Sequence, residues 1–178
     1  MITSNDIKPM LQDGVNDNEL RDLLSHFANI RATRQPLFLN AGDFDIILRW
    51  KLRSQYGRQK HWRQANTDEV IRSVTGVALT VTHPDPDYEL ELRVGLLCIL
   101  RGVAVPVASA ILTLVFPETY GVIDFRAWRQ VFGKERSGFM ISDYKRYLNA
   151  IRPLAQELGC TVQEVDLAIW EMDRQSKR

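Results

Sequence analysis

Cysteine is almost missing from this chain. Cys98 and Cys160 are the two present in 178 residues, and their spacing is not that of a pair. A disulfide framework is therefore excluded as the basis of the fold, and two thiols cannot by themselves ligate a four-cysteine iron–sulfur cluster. Cys98 lies in an apolar run and reads as a small core residue. No apolar run reaches the length of a membrane-spanning helix, because Arg101 interrupts the longest one. The first residues, MITSNDIKPMLQDG, show no apolar h-region, so no secretory signal is expected. A cytoplasmic protein, nucleoid-associated if bacterial, is the default. An excess of either charge is lacking too: 23 Lys and Arg stand against 22 Asp and Glu, for a net charge of +1. Any attraction to nucleic acid must then come from local clustering. Alternating apolar and polar segments are also absent, so an all-α fold is expected.

What is present suits a single globular unit, with 45% apolar and 25% charged residues. Residues 1–16, polar and carrying Pro9 and Gly14, read as a flexible N-terminal arm. Residues 17–178 read as one all-α domain. Asn16-Asp17-Asn18-Glu19 is a capping signal, followed by Leu20, Leu23, Leu24, Phe27 and Ile30 at helical spacing. Residues 41–56 form the next expected helix, with Phe44, Ile47 and Leu48 on one face. Asn66-Thr67-Asp68-Glu69 opens another over 67–81, and His83-Pro84-Asp85-Pro86 breaks the chain. The 87–101 helix has little polar face and is expected to be deeply buried. Further on, Ser142 is read as the cap of a long stripe running from Tyr144 to Leu158. Pro153 lies inside that stripe and Gly159 ends it. Thr161-Val162-Gln163-Glu164 is a full capping box for the last helix.

Charge is patterned in one place. From Ile46 through Thr67 there is no acid, while Arg49, Lys51, Arg53, Arg58, Lys60, His61 and Arg63 accumulate. Trp50, Tyr56 and Trp62 are interleaved with them. Basic residues mixed with aromatics suit a phosphate backbone and unstacked bases; a solvated helix face is the plainer alternative.

The stretch that organises the chain is 96–131, LLCILRGVAVPVASAILTLVFPETYGVIDFRAWRQV. It reads as a helix, a tight turn at Arg101-Gly102-Val103-Ala104, a second apolar helix, and then Asp124 at the entry to a third. Gly102 permits a positive φ or a close backbone approach. The turn aims free amides at the start of the second helix, where the dipole favours an anion. Pro106 fits an early helical position. Asp124 can cap the helix that follows.

This pattern resembles the helix-hairpin-helix of the base-excision DNA glycosylases, most of all small bacterial proteins related to 8-oxoguanine DNA glycosylase. The resemblance implies an all-α fold of two helical lobes with a cleft between them. It implies double-stranded DNA, damaged or modified, as partner of a monomer. The hairpin residues Arg101, Gly102, Val103 and Ala104 would hold a phosphate, with a monovalent cation at the Gly102–Ala104 backbone. Asp124 would be the catalytic carboxylate. Arg49, Lys51, Arg53 and Arg126 are the further DNA-binding candidates, and Trp50, Tyr56, Trp62 and Trp128 the base-stacking ones.

The sequence departs from the family pattern in the turn, in the second helix and after the aspartate. Its Leu-Pro-Gly-Val-Gly turn is Leu100-Arg101-Gly102-Val103-Ala104 here, so the second glycine is Ala104. The lysine of bifunctional members such as endonuclease III falls on Pro106, and the threonine and histidine after the aspartate are Phe125 and Arg126. The expected chemistry is therefore lysine-independent hydrolysis of the N-glycosidic bond, without an iron–sulfur cluster or other cofactor. Lys51 is the alternative nucleophile. The competing readings are a non-catalytic DNA-binding module on the same scaffold and a helical interaction protein with no nucleic-acid role.

Overall fold

A computed structural model of the chain describes residues 2–13, 17–58 and 60–176. Among these residues there is no strand. The helices are α1 (Ser4–Asp13), α2 (Asn18–Thr33), α3 (Ala41–Leu52), α4 (Lys60–Arg63), α5 (Asp68–Thr80), α6 (Pro86–Leu97), α7 (Val105–Val115), α8 (Phe125–Phe132), α9 (Ile141–Leu158) and α10 (Val162–Gln175). A 3-10 turn, Arg53–Gln55, follows α3. Among the described residues no helix is long and apolar enough to cross a membrane.

The hub is α7. VPVASAILTLV contains no charge, and Val105 and every residue from 107 to 115 are buried. A helix that is apolar all round has no stable place except inside the core. Its two hydroxyls are absorbed locally, Ser109 donating to the Pro106 carbonyl at 2.9 Å and Thr113 to the Ser109 carbonyl at 2.8 Å. Around α7 the helices form two packed groups. One is built from α3, α5 and α6, the other from α1, α8, α9 and α10; α2 packs on α7, which also touches α3, α6 and α9, and α6 also reaches α9.

Two expectations are corrected. The deeply buried helix is α7 rather than the 87–101 segment. That helix ends at Leu97, and Ile99 is 66% exposed beyond it. Leu90, Val94 and Leu97 make one buried stripe, while Glu91, in the same turns, is exposed. Nor is the N-terminus an arm throughout. Residues 4–13 are helical and pack on α9 and α10, with Ile7 fully buried and Ser4 donating to Glu157 at 2.7 Å. Pro9 and Gly14 look like breakers in sequence, but Pro9 is accommodated inside α1. Residues 14–16, including Asn16 of the capping signal, lie outside the described residues. Asp17 caps α2, accepting from the Leu20 amide at 2.9 Å.

Candidate functional site

Asp124 is positioned by a buried polar frame. The segment 120–124 follows α7 and a turn at 117–119, and residues 120–123 are buried, where amides and carbonyls need partners. The Tyr144 hydroxyl donates to the Gly121 carbonyl at 3.0 Å. The Val122 amide donates to Asp166 Oδ2 at 2.8 Å, and the Ile123 amide to Ser109 Oγ at 3.1 Å. Asp124 then caps α8, its Oδ1 accepting from the Arg126 and Ala127 amides at 2.9 and 3.0 Å. Capping occupies Oδ1 and leaves Oδ2 for other work.

That second oxygen meets Lys51. Its Nζ lies 3.7 Å from Asp124 Oδ2, and the side chains are 13% and 21% exposed. The pair borders a cavity of about 170 Å³ between the two helix groups. Trp50 and Lys51 reach it from α3, Leu20 from α2, Thr113 from α7, and Gln163, Asp166 and Trp170 from α10. Gln163 is buried, and its side-chain amide bonds to no described residue. Arg53 stands at the rim with φ +49, the only positive-φ residue other than glycine among those described. Such backbone is costly for an L-residue and is found where surrounding structure enforces it. Arg53 also pairs with Glu19 at 2.5 Å.

Asp166 is the second carboxyl of the cavity. Burial pushes its pKa up to about 7, against hydrogen bonds from the Tyr147 hydroxyl and the Val122 amide that lower it. The Asp124 charge raises it further and Lys51 lowers it. Near neutral pH this group is therefore divided between its acid and its anion.

The hairpin turn is a separate construction. Gly102 takes φ +80, and a Cβ there would fall 2.5 Å from Arg63 Cγ. Arg63 is buried along the turn and donates to the Tyr56 and Arg58 carbonyls. Asn66 brackets Arg101, accepting from its amide at 3.0 Å and donating to its carbonyl at 2.9 Å. Ala104, the N-cap of α7, offers no side-chain acceptor to the first-turn amides. A monovalent cation here would depend on backbone carbonyls. Of those between Gly102 and Ala104, the Ala104 carbonyl accepts from the Val107 and Ala108 amides at 2.8 and 3.0 Å.

The expected site residues are thus divided. The structure brings together Asp124, Lys51, Trp50 and the rim residue Arg53. Arg49 is exposed, pairs with Asp45 at 2.6 Å and lies over the Tyr56 ring. Tyr56 itself donates to Asp45 and is flanked by Arg63, so its ring is engaged within the protein. Trp62 is 46% exposed on α4, away from the cavity lining. Arg126 folds back on Asp173 at 3.3 Å and lies over the rings of Phe125 and Trp170. Arg101 is exposed at the turn beside Gly102, Val103 and Ala104. Trp128 is corrected: it is 3% exposed, packed on Phe132 and Phe139, and presents no free face for a base. Sequence reasoning missed Gln163, Asp166 and Trp170. In the last helix an inward polar residue looks the same as a solvated one, and only the i, i+3 spacing of Gln163 and Asp166 beside Val162 and Val165 hints at a shared face.

No family model, no curated protein and no solved structure matches the chain.

Proposed function

We propose that this protein binds duplex DNA over its hairpin turn and releases a flipped damaged or modified base, with Asp124 as the carboxylate that serves the chemistry. Breaking an N-glycosidic bond builds positive charge on the sugar, and a fixed carboxylate stabilises that charge. One observation carries the reading: Asp124, with Oδ1 tied to two amides and Oδ2 free of the cap, borders an aromatic-walled, partly open cavity between the two helix groups. Trp50 and Trp170 give that cavity the apolar surfaces a planar base would lie against. Removing the charge with Asp124→Asn keeps a capping oxygen. Base release from a panel of damaged and modified duplexes should fall by about a hundredfold or more, while duplex affinity changes little. Unchanged release in the variant would overturn the assignment.

The distance between Lys51 and Asp124 favours a second reading, in which the amine rather than water attacks the sugar. Its Nζ, after passing a proton to Asp124, would form the new bond to the anomeric carbon as the base departs with the glycosidic electron pair, and opening of the sugar ring at its C–O bond would then give the imine that borohydride reduces. Borohydride reduction during turnover separates the two. A covalent DNA adduct that disappears in Lys51→Gln identifies the lysine mechanism, whereas release without an adduct identifies hydrolysis. Salt-sensitive binding with no release from any duplex would leave only a DNA-binding module.

A further inference from the structure

Asp124 borders a second depression. A groove of about 520 Å³ has Pro106, Asp124, Phe125, Glu135, Arg136 and Phe139 in its lining, and among the described residues Asp124 is the one it shares with the smaller cavity. The groove runs from the first turn of α7, beside the hairpin, to the start of α8. Glu135 and Arg136 are each paired with a residue outside the groove. Glu135 pairs with Arg129 at 2.5 Å and Arg136 with Asp143 at 2.7 Å. The groove is therefore poorly equipped to hold a phosphate. What it presents is aromatic. Phe125, at the first position of α8, is 46% exposed.

That ring is held, not loose. The guanidinium groups of Arg126 and Arg129 lie 5.3 and 5.9 Å from its centre. Both arginines are anchored on Asp173, which is 1% exposed. An exposed aromatic braced by two anchored cations loses little freedom when something planar lies on it. The scissile bond of a nucleotide has its base on one side and its strand on the other. A carboxylate lying where two cavities meet fits that division, with the target base in the small cavity and the strand in the groove.

On the basis of the proposed function, we infer that the groove is a second nucleobase site, in which Phe125 stacks on the base next to the one being removed. Phe125 is a positioning residue: it grips the strand and takes no part in bond breaking.

The test uses the full chain and a duplex carrying a tetrahydrofuran abasic analogue, with iodouridine as the neighbouring nucleotide on one side or the other. Irradiation of the complex should give a crosslink that peptide mapping locates at Phe125, from one of the two positions only. Phe125→Ala should weaken binding of this duplex by roughly five- to a hundredfold, and Phe125→Trp should restore it. The side chain is exposed, so an unchanged melting transition in both variants separates loss of grip from loss of fold. A duplex affinity unaltered in Phe125→Ala, or a crosslink confined to other residues, overturns the inference even if release still depends on Asp124. If the wild-type chain binds no duplex and Phe125 instead governs association with another polypeptide, this inference and the proposed function both fall.

Discussion

Asp166 is where a single residue makes the molecule sensitive to pH. Its folded-state pKa of about 7 lies well above the ordinary value of 3.8, with burial the largest cause. Between those two values the folded chain holds a proton that the unfolded chain has released. The stabilisation it reports is complete below about pH 4 and is lost as pH rises through about 7. Asp166→Asn removes the titration but keeps an acceptor for the Val122 amide and a donor for the Tyr147 oxygen. The wild type should lose on the order of 2 kcal/mol of unfolding free energy between about pH 5 and about pH 8, and the variant markedly less of it. Urea denaturation of both at the two pH values checks this. Equal pH dependence in the two proteins would show that the proton resides elsewhere.

At the scale of elements, the 120–124 segment matters more than any helix. It is held by Tyr144, Asp166 and Ser109, which come from three different helices. Gly121 makes the close approach possible, because a Cβ there would stand 2.8 Å from Ile151 Cδ1 and 2.9 Å from Asp166 Cβ. Gly121→Ala must push the segment away from α9 and α10, and Asp124 moves with it. Overpacking of this kind costs about 1–3 kcal/mol, read from the denaturation midpoint. Displacement of the carboxylate should lower base release by at least about tenfold, beyond any loss of folded protein. Wild-type release from a destabilised Gly121→Ala would show that the segment's position is not what sets the rate.

Much at this scale was legible beforehand. The stripe of Leu20, Leu23, Phe27 and Ile30 is buried as its spacing requires. Thr161 and Glu164 form the reciprocal cap, and Gly159 ends α9 at φ +65. Asp124 caps α8, as its place before an apolar-periodic helix allows. Other features were not legible, because they depend on which long-range partner a residue finds. Lys51 and Arg53 are two residues apart in one basic run, yet one lies in the cavity wall and the other pairs with Glu19 at the rim. Arg63, in the same run, is buried as a strut against Gly102. Charge clustering in the sequence records composition, and only the helix faces decide which cations are left to meet a partner.

On the scale of the whole molecule, the two ends of the chain close on each other. Ile7 of α1 is fully buried, and α1 packs against α9 and α10. From α10 come Gln163, Asp166 and Trp170, three of the residues facing the cavity. The N-terminal helix therefore supports the far side of the site's wall without touching the site: none of its residues lines the cavity. Truncating the buried side chain in Ile7→Ala should cost about 2–4 kcal/mol, the usual range for a large-to-small change in a core. The loss should also be uneven. Regions of a fold open with different free energies, and an element loses protection when its own packing partner is weakened. In native-state hydrogen exchange, the α10 amides of Ile7→Ala should exchange faster, while those of α5 and α6, packed on each other in the opposite helix group, should change far less. An equal rise across all helices would mean that α1 acts on the stability of the molecule as one cooperative unit, and not specifically as the backing of the cavity wall.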